Sequence, residues 1–345
     1  MRNTPPSMHE WRKLFDLAIE LKKLAPWEWM TDEEIFGVEN PETGEIGYCC
    51  VMGALGEHLA LGVYLGTKGL AGYQFIRDHS DKYDSEELMH LQKCIMMSFE
   101  DRDYLSSKER ELIRKLGYRF RGKQAWPKFQ RFDPGFYPWY LEKSDVRFLA
   151  VAIEQTMVVG KMLMDNPELL DPPEPGLYLV RRQTKKGNKV SWESVWLPPQ
   201  PVEQPPKELD DSVRQKIAAI KRKKLDAFGF IEYDYFYLPM PVQESPKNRP
   251  YFPVAHLFVD SETGLIIHSQ IEKHLPTPKD LADIFLTWLD NEPELPQMVL
   301  VHRAWIAEYL EPVTRQLGIQ LIYTELLSKM TEARNNMFEF WRNNF

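Results

Sequence analysis

The sequence predicts two mixed α/β parts. An α+β N-terminal domain is expected over residues 1–198 and a mixed-sheet α/β domain over residues 225–345, with a proline-rich linker and a helix over 199–224. The length of 345 residues suits two domains. Prolines recur from Pro198 to Glu208 (PPQPVEQPPKE), which is typical of a semi-rigid linker. The last third follows the order β-β-β-α-β-α-β-α.

The strands of the last third are predicted from apolar runs rich in aromatic and β-branched residues. The first run, Ile231–Leu238, alternates acids with aromatic residues, as a half-buried strand does. Asp260 and Gly264 bound a short polar segment that suits a hairpin turn. The other predicted strands are Val254–Val259, Leu265–Ile271, Met298–Val301 and Ile319–Tyr323.

Three helices are predicted between and after these strands. Thr277 offers an N-cap hydroxyl and Asp280 favours the positive start of a helix. Helices over 304–317 and 328–341 follow, and Pro312 inside the first of them predicts a kink or a break. The apolar face of the first helix consists of residues at helical spacing: Leu281, Ile284, Phe285, Trp288 and Leu289.

The N-terminal part has its own helix and strand signals. Ser106 and Glu109 form a predicted capping box for a helix that ends near Leu116. The apolar, Met-rich segment 145–164 predicts a long, buried central helix. Strands are predicted over Tyr48–Met52, Leu59–Leu65, Cys94–Phe99, Leu177–Gln183 and Val190–Leu197.

The cysteine pattern and the lengths of the apolar runs indicate the cellular compartment of the protein. Cys49, Cys50 and Cys94 form no CxxC pair, so reduced thiols are expected, with the adjacent Cys49 and Cys50 on opposite faces of a strand. The opening residues MRNTPPSMHEW lack an apolar secretory segment. No apolar run reaches the roughly 18 residues of a membrane span. The sequence therefore predicts a cytoplasmic protein without a membrane partner.

The charge distribution makes nucleic acid an unlikely partner of the last third. The chain has a net charge of −8, and residues from Leu225 onward contain nine Lys and Arg against 17 Asp and Glu. Such a surface repels phosphates unless a local patch compensates. One basic cluster, KRKK at Lys221–Lys224, is expected to be a solvated helix end. The aromatic segment 126–141 suits either a groove that stacks bases or prolines or, more plainly, a strand and loop over the core.

The strings IEYDYFYLPMP and HLFVDSETGLIIHS, together with the element order, resemble the integrase/transposase branch of the ribonuclease H-like fold. The resemblance covers about the last third of the chain. It implies two or three carboxylates that hold divalent Mg or Mn for nucleic-acid cleavage. Residue by residue, it places Asp234 on the first strand and Glu332 on the last helix in that role.

The second aspartate of that family has no counterpart in this chain. After the fourth strand the sequence reads Val301-His302-Arg303, and an arginine puts positive charge where the metals would bind. The site is therefore expected to be degenerate, with Asp234, Glu332 and His302 as the remaining catalytic candidates and Asp234 and Glu332 as metal candidates. In the plainer interpretation, Asp234 faces solvent, Glu332 is an exposed helix acid, and His302 and Arg303 end a strand and cap a helix.

The strings PWEW, FGVENPETGEIGY and GALGEHLALGVYLG resemble a bacterial domain of unknown function that is often joined to such a C-terminal domain. This resemblance implies no activity. We therefore expect a non-catalytic protein, without a cofactor, that binds a protein partner or a small ligand. The alternatives are a metal-dependent nuclease that uses Asp234 and Glu332 and a nucleic-acid-binding protein that does not cleave.

Overall fold

The structure is a computed structural model with two compact units, Met1–Val202 and Glu203–Phe345, here called the first and second unit. Each unit is a mixed α/β structure built on one mixed sheet. Residues 202–208 of the predicted linker lie outside the described residues. The structure describes residues 5–79, 88–187, 189–201 and 209–344.

The sheet of the first unit consists of β1 (Phe36–Glu39), β2 (Ile46–Met52), β3 (Ala60–Leu65), β4 (Cys94–Glu100), β5 (Trp126–Phe132), β6 (Tyr178–Lys186) and β7 (Lys189–Leu197). The strand order is β5-β4-β3-β2-β1-β6-β7. All neighbours are antiparallel except β1 and β6, which pair in parallel. The helices described in this unit include α1 (Met8–Leu24), α2 (Gly66–His79), α3 (Ser107–Leu116) and α4 (Lys143–Asp165).

Several local predictions for the first unit are confirmed. The capping box at Ser106 and Glu109 starts α3, and α4 is long and largely buried. Cys49 and Cys50 pack in different apolar clusters, as expected for neighbours on opposite faces of β2. Burial raises the pKa of the Cys49 thiol to about 12, so this cysteine stays in its unreactive thiol form. Strand β1 was not predicted.

The sheet of the second unit consists of β8 (Ala227–Tyr237), β9 (Val254–Asp260), β10 (Ile266–Glu272), β11 (Leu295–Val301) and β12 (Gln320–Tyr323). Its order is β10-β9-β8-β11-β12, with β8 at the centre. Strand β9 is antiparallel to both β8 and β10, whereas β11 is parallel to both β8 and β12. The helices are α5 (Asp211–Lys223), α6 (Pro278–Asn291), α7 (Ala304–Leu317) and α8 (Ser328–Asn344).

The two faces of the second sheet bury different helices. Helices α5, α6 and α7 cover one face, where Trp288 is 1% exposed. Helix α8 packs on the other face through Met330 and Ala333, and Leu327 directly before it joins the same cluster. The predicted capping box at Thr277 and Asp280 opens α6. These packed helices set the environment of every polar residue on β8.

Of the kink or break expected at Pro312, the break is wrong, because α7 runs from Ala304 to Leu317 as one helix. Proline removes one backbone hydrogen bond and disfavours a helix interior. Leu310 and Val313 on either side of it are both fully buried in the core. Tertiary packing of this apolar face therefore outweighs the local preference of one residue.

Candidate functional site

Two acids of β8 lie on the same side of the second sheet. Glu232 and Asp234 are two residues apart, so their side chains leave the strand in the same direction. Both are buried, with 4% and 3% of their surface exposed. The prediction that Asp234 faces solvent is therefore wrong. Helix α8 covers this face of β8, so a strand expected to be half-buried is buried on both sides.

Asp234 is held by the two residues that follow β11. The guanidinium of Arg303 donates from Nε to Oδ1 of Asp234 at 2.8 Å. The Nδ1 atom of His302 lies 3.5 Å from the second carboxylate oxygen. Because β8 and β11 are neighbours and parallel, the segment after β11 naturally reaches this end of β8.

Arg303 makes further contacts that fix its position. It donates from Nη2 to the carbonyl oxygen of Tyr235 at 3.2 Å, and its guanidinium lies 4.8 Å from the centre of the Tyr235 ring. Its backbone is the N-cap of α7, as the sequence indicated, but its side chain makes no cap hydrogen bond. The side chain instead neutralises Asp234 in a partly buried ion pair.

Glu332 has a different environment from Asp234. Its side chain is 63% exposed and lies 3.5 Å from Lys329 on the same helix. An exposed ion pair of this kind contributes little to stability. The structure thus places one predicted metal ligand inside the fold beside a guanidinium and the other on the surface of α8.

Glu232 is a buried acid beside Asp234 that the sequence did not single out. Its Oε2 atom accepts a hydrogen bond at 2.7 Å from the backbone N–H of Met330 in the first turn of α8. The first N–H groups of a helix have no partner within the helix, and a carboxylate there is favourable. The sequence does contain a signal for this residue. Glu232 lies two residues before Asp234 on the same predicted strand, so both side chains must point to the same face of the sheet.

Replacing Glu232 with leucine should destabilise the second unit by about 2 kcal/mol, because the buried N–H of Met330 loses its acceptor. Amide hydrogen exchange in the first turn of α8 should accelerate accordingly. Glu332→Ala on the same helix is the matched control and should change stability by less than about 0.5 kcal/mol. Equal effects of the two substitutions would contradict this role of Glu232.

The opposite face of β8 carries a buried Tyr–His pair. The Tyr233 hydroxyl and the His256 Nδ1 atom are 2.9 Å apart, and both residues are fully buried. Within the described residues, no group hydrogen-bonds to Nε2 of His256. Burial lowers the pKa of His256 from 6.5 to about 4, and the nearby Asp234 carboxylate opposes this shift only in part.

The other sequence candidates are placed as follows. Lys221–Lys224 ends α5, where Lys223 lies 2.7 Å from the Asp290 carboxylate. The aromatic segment 126–141 begins as β5, which pairs with β4 along one side of the first sheet. Phe129 of this strand is buried in the core, whereas Tyr137 is 46% exposed.

The described residues bear on metal binding and on membrane insertion. Among those residues, no group of three or more His, Cys, Asp or Glu side chains is arranged to hold a metal ion. No helix within the same ranges has the length and apolar character needed to cross a bilayer.

Two family models match the chain. Residues 11–181 match a domain of unknown function (DUF7309), and residues 216–338 match a second domain of unknown function (DUF6930). Together they cover most of the sequence. No curated protein matches the chain.

Solved structures of integrases and transposases show a distant likeness. The catalytic core domain of BIV integrase is 13% identical, with 32% of this chain and 66% of that chain covered and a TM-score of 0.24. This chain thus spans just under two thirds of that core domain. The Mos1 transposase paired-end complex with the left transposon end is 10% identical, with 71% and 72% covered and a TM-score of 0.22. The Mos1 mariner paired-end complex with Mn has the same identity and coverage and a TM-score of 0.21.

Proposed function

We propose that the second unit is a ribonuclease H-like domain that has lost its nuclease site, and that the chain binds a protein partner or a small ligand in a bacterial cytoplasm. The element order of the second unit and its mixed sheet, with the first strand at the centre, support this fold. The three cysteines are free and buried, which fits a reducing compartment.

The observation that carries the proposal is the ion pair between Asp234 and Arg303. A cutting site of this kind needs carboxylates that converge on divalent cations. At Asp234, a guanidinium already donates to the carboxylate at 2.8 Å, and its positive charge opposes a divalent cation. Glu332 is exposed and pairs with Lys329. These residues therefore do not fit a Mg or Mn site.

Nucleic-acid binding without cleavage is the weaker alternative. The KRKK cluster is partly neutralised, since Lys223 pairs with Asp290 at 2.7 Å. Lys216, earlier on the same helix, is also paired and lies 2.9 Å from Asp283. The excess of acids in residues from Leu225 onward also opposes contact with phosphates.

The experiment that tests the proposal is a cleavage assay on the full chain. Single- and double-stranded DNA and RNA are incubated with the protein and either Mg²⁺ or Mn²⁺, and no cleavage above a protein-free control is expected. Cleavage that requires metal and disappears in both Asp234→Ala and Glu332→Ala would overturn the proposal. Both variants are needed because Asp234→Ala should also lower stability, whereas Glu332→Ala should not. Loss of cleavage in Glu332→Ala therefore cannot be attributed to unfolding.

A further inference from the structure

The first unit contains a surface pocket of about 590 Å³, open to solvent and here called the cavity, whose lining is strongly basic. This volume falls within the range of about 300–1,000 Å³ that is typical of small-molecule sites. Four arginines line it, together with two aromatic residues, Tyr118 and Trp126. The arginines are Arg102, Arg110, Arg114 and Arg119.

Separate elements bring the four arginines together. Arg110 and Arg114 lie four residues apart on α3, so they share one helix face. Gly117 ends α3 with a φ of 85°, and the N–H of Tyr118 donates back to the Ile113 carbonyl at 3.2 Å. This left-handed turn reverses the chain and brings Arg119 to the cavity. The fourth arginine comes from the turn after β4.

The positive charge of the cavity is only partly balanced by its surroundings. In the parts of the first unit that the structure describes, none of these four guanidinium groups forms an ion pair or a side-chain hydrogen bond. One acid, Glu111, lines the cavity and is paired with Lys115 at 2.9 Å, although the charge of Arg114 also acts on it. The Asp16 carboxylate accepts from the hydroxyl of the lining residue Tyr118. Like charges at this helical spacing repel each other by about 0.2–0.5 kcal/mol, and a bound anion would relieve this repulsion.

We propose that this cavity binds a small ligand that carries two or more phosphate groups. Guanidinium groups match phosphate oxygens with paired N–H donors, and several of them around one cavity complement a ligand of multiple negative charge. Trp126 and Tyr118 add aromatic surface for the remainder of an organic phosphate. A nucleoside diphosphate or triphosphate supplies both the phosphate groups and the organic part.

This inference goes beyond the proposed function, because it depends only on residues of the first unit. Loss of phosphate binding would leave the argument from Asp234 and Arg303 unchanged. Nuclease activity in the second unit would equally leave the cavity argument unchanged. The two proposals therefore fail on different measurements.

The test is calorimetric titration of the full chain with pyrophosphate, ATP and, for comparison, sulfate. Pyrophosphate and ATP should bind and raise the melting temperature, and sulfate should bind more weakly. The double variant Arg110→Gln/Arg114→Gln should weaken pyrophosphate binding about tenfold or more, since a charge-assisted hydrogen bond is worth roughly this factor. Without ligand, this variant should be at least as stable as the wild type, because it removes like-charge repulsion.

Lys108→Gln is the matched control. Lys108 lies on the same helix but lines a different, mostly apolar cavity. Its substitution should change pyrophosphate affinity by less than about twofold. Three results would overturn the proposal: no binding of either phosphate ligand, equal weakening by Lys108→Gln and the double variant, or sulfate affinity equal to that of pyrophosphate. A single-stranded DNA oligonucleotide that binds more tightly than ATP and depends on the same arginines would also overturn the assignment to a small ligand.

Discussion

Replacing Arg303 with methionine should lower the free energy of unfolding of the second unit by about 3 kcal/mol, because it leaves the buried carboxylate of Asp234 without its cation. The substitution also removes the hydrogen bond to the Tyr235 carbonyl. Urea unfolding measures the loss directly. Arg303→Lys should be milder, since it keeps the positive charge but loses the planar fork of donors.

A double-mutant cycle separates the ion pair from simple loss of packing. Asp234→Asn combined with Arg303→Met removes both charges, so it should be more stable than Arg303→Met alone. The measured coupling between the two positions should exceed about 1 kcal/mol. Strict additivity of the two single substitutions would show that Asp234 and Arg303 do not stabilise each other.

The second large expected effect is a pH dependence of the free energy of unfolding, and His256 causes it. Its pKa is about 4 in the folded protein, below the ordinary value of 6.5, so the unfolded chain binds the additional proton between these values. Stability should therefore fall as the pH drops from 6.5 towards 4, by about 3 kcal/mol over the window. The physical cause is that a charged imidazole would be buried beside the apolar core of the second unit.

Urea unfolding of the wild type and of His256→Gln across this pH range measures that contribution. Glutamine keeps a group that can hydrogen-bond to the Tyr233 hydroxyl, and it does not titrate. The difference in stability between the two proteins should shrink or reverse towards pH 4. Burial also lowers the pKa of His90, but His90 is present in both proteins and contributes equally to both profiles. His58→Gln, which changes an exposed histidine, should follow the wild type. Parallel wild-type and His256→Gln profiles would contradict the assignment.

Helices with local start signals could be predicted from the sequence. The cap at Thr277 and the cap at Ser106 are each decided by residues within one turn, and both helices begin where those residues indicated. The hairpin turn is equally local, since the Asp260 side chain accepts from the N–H of Thr263 at 2.7 Å. Strand β1 was missed because its four residues carry almost no pattern of their own and take their conformation from two neighbouring strands.

Only part of the candidate site could be predicted from the sequence. The sequence indicated that Arg303 would disturb a metal site, and this required only the order of the elements. It did not reveal that Asp234 is buried, because burial depends on α8, which folds back from the far end of the chain. The basic cavity of the first unit was also missed, since its four arginines come from one helix and two turns. Such convergence is a property of tertiary structure.

The parallel pairing of β1 with β6 has a consequence for the growing polypeptide. Val38 lies opposite Arg181, so one side of β1 finds its partner only after the hairpin of β6 and β7 has left the ribosome. Until then, the nascent sheet presents an unpaired strand edge, which is prone to association with other chains. Nascent chains that end before β6 should therefore associate more readily than the full-length chain.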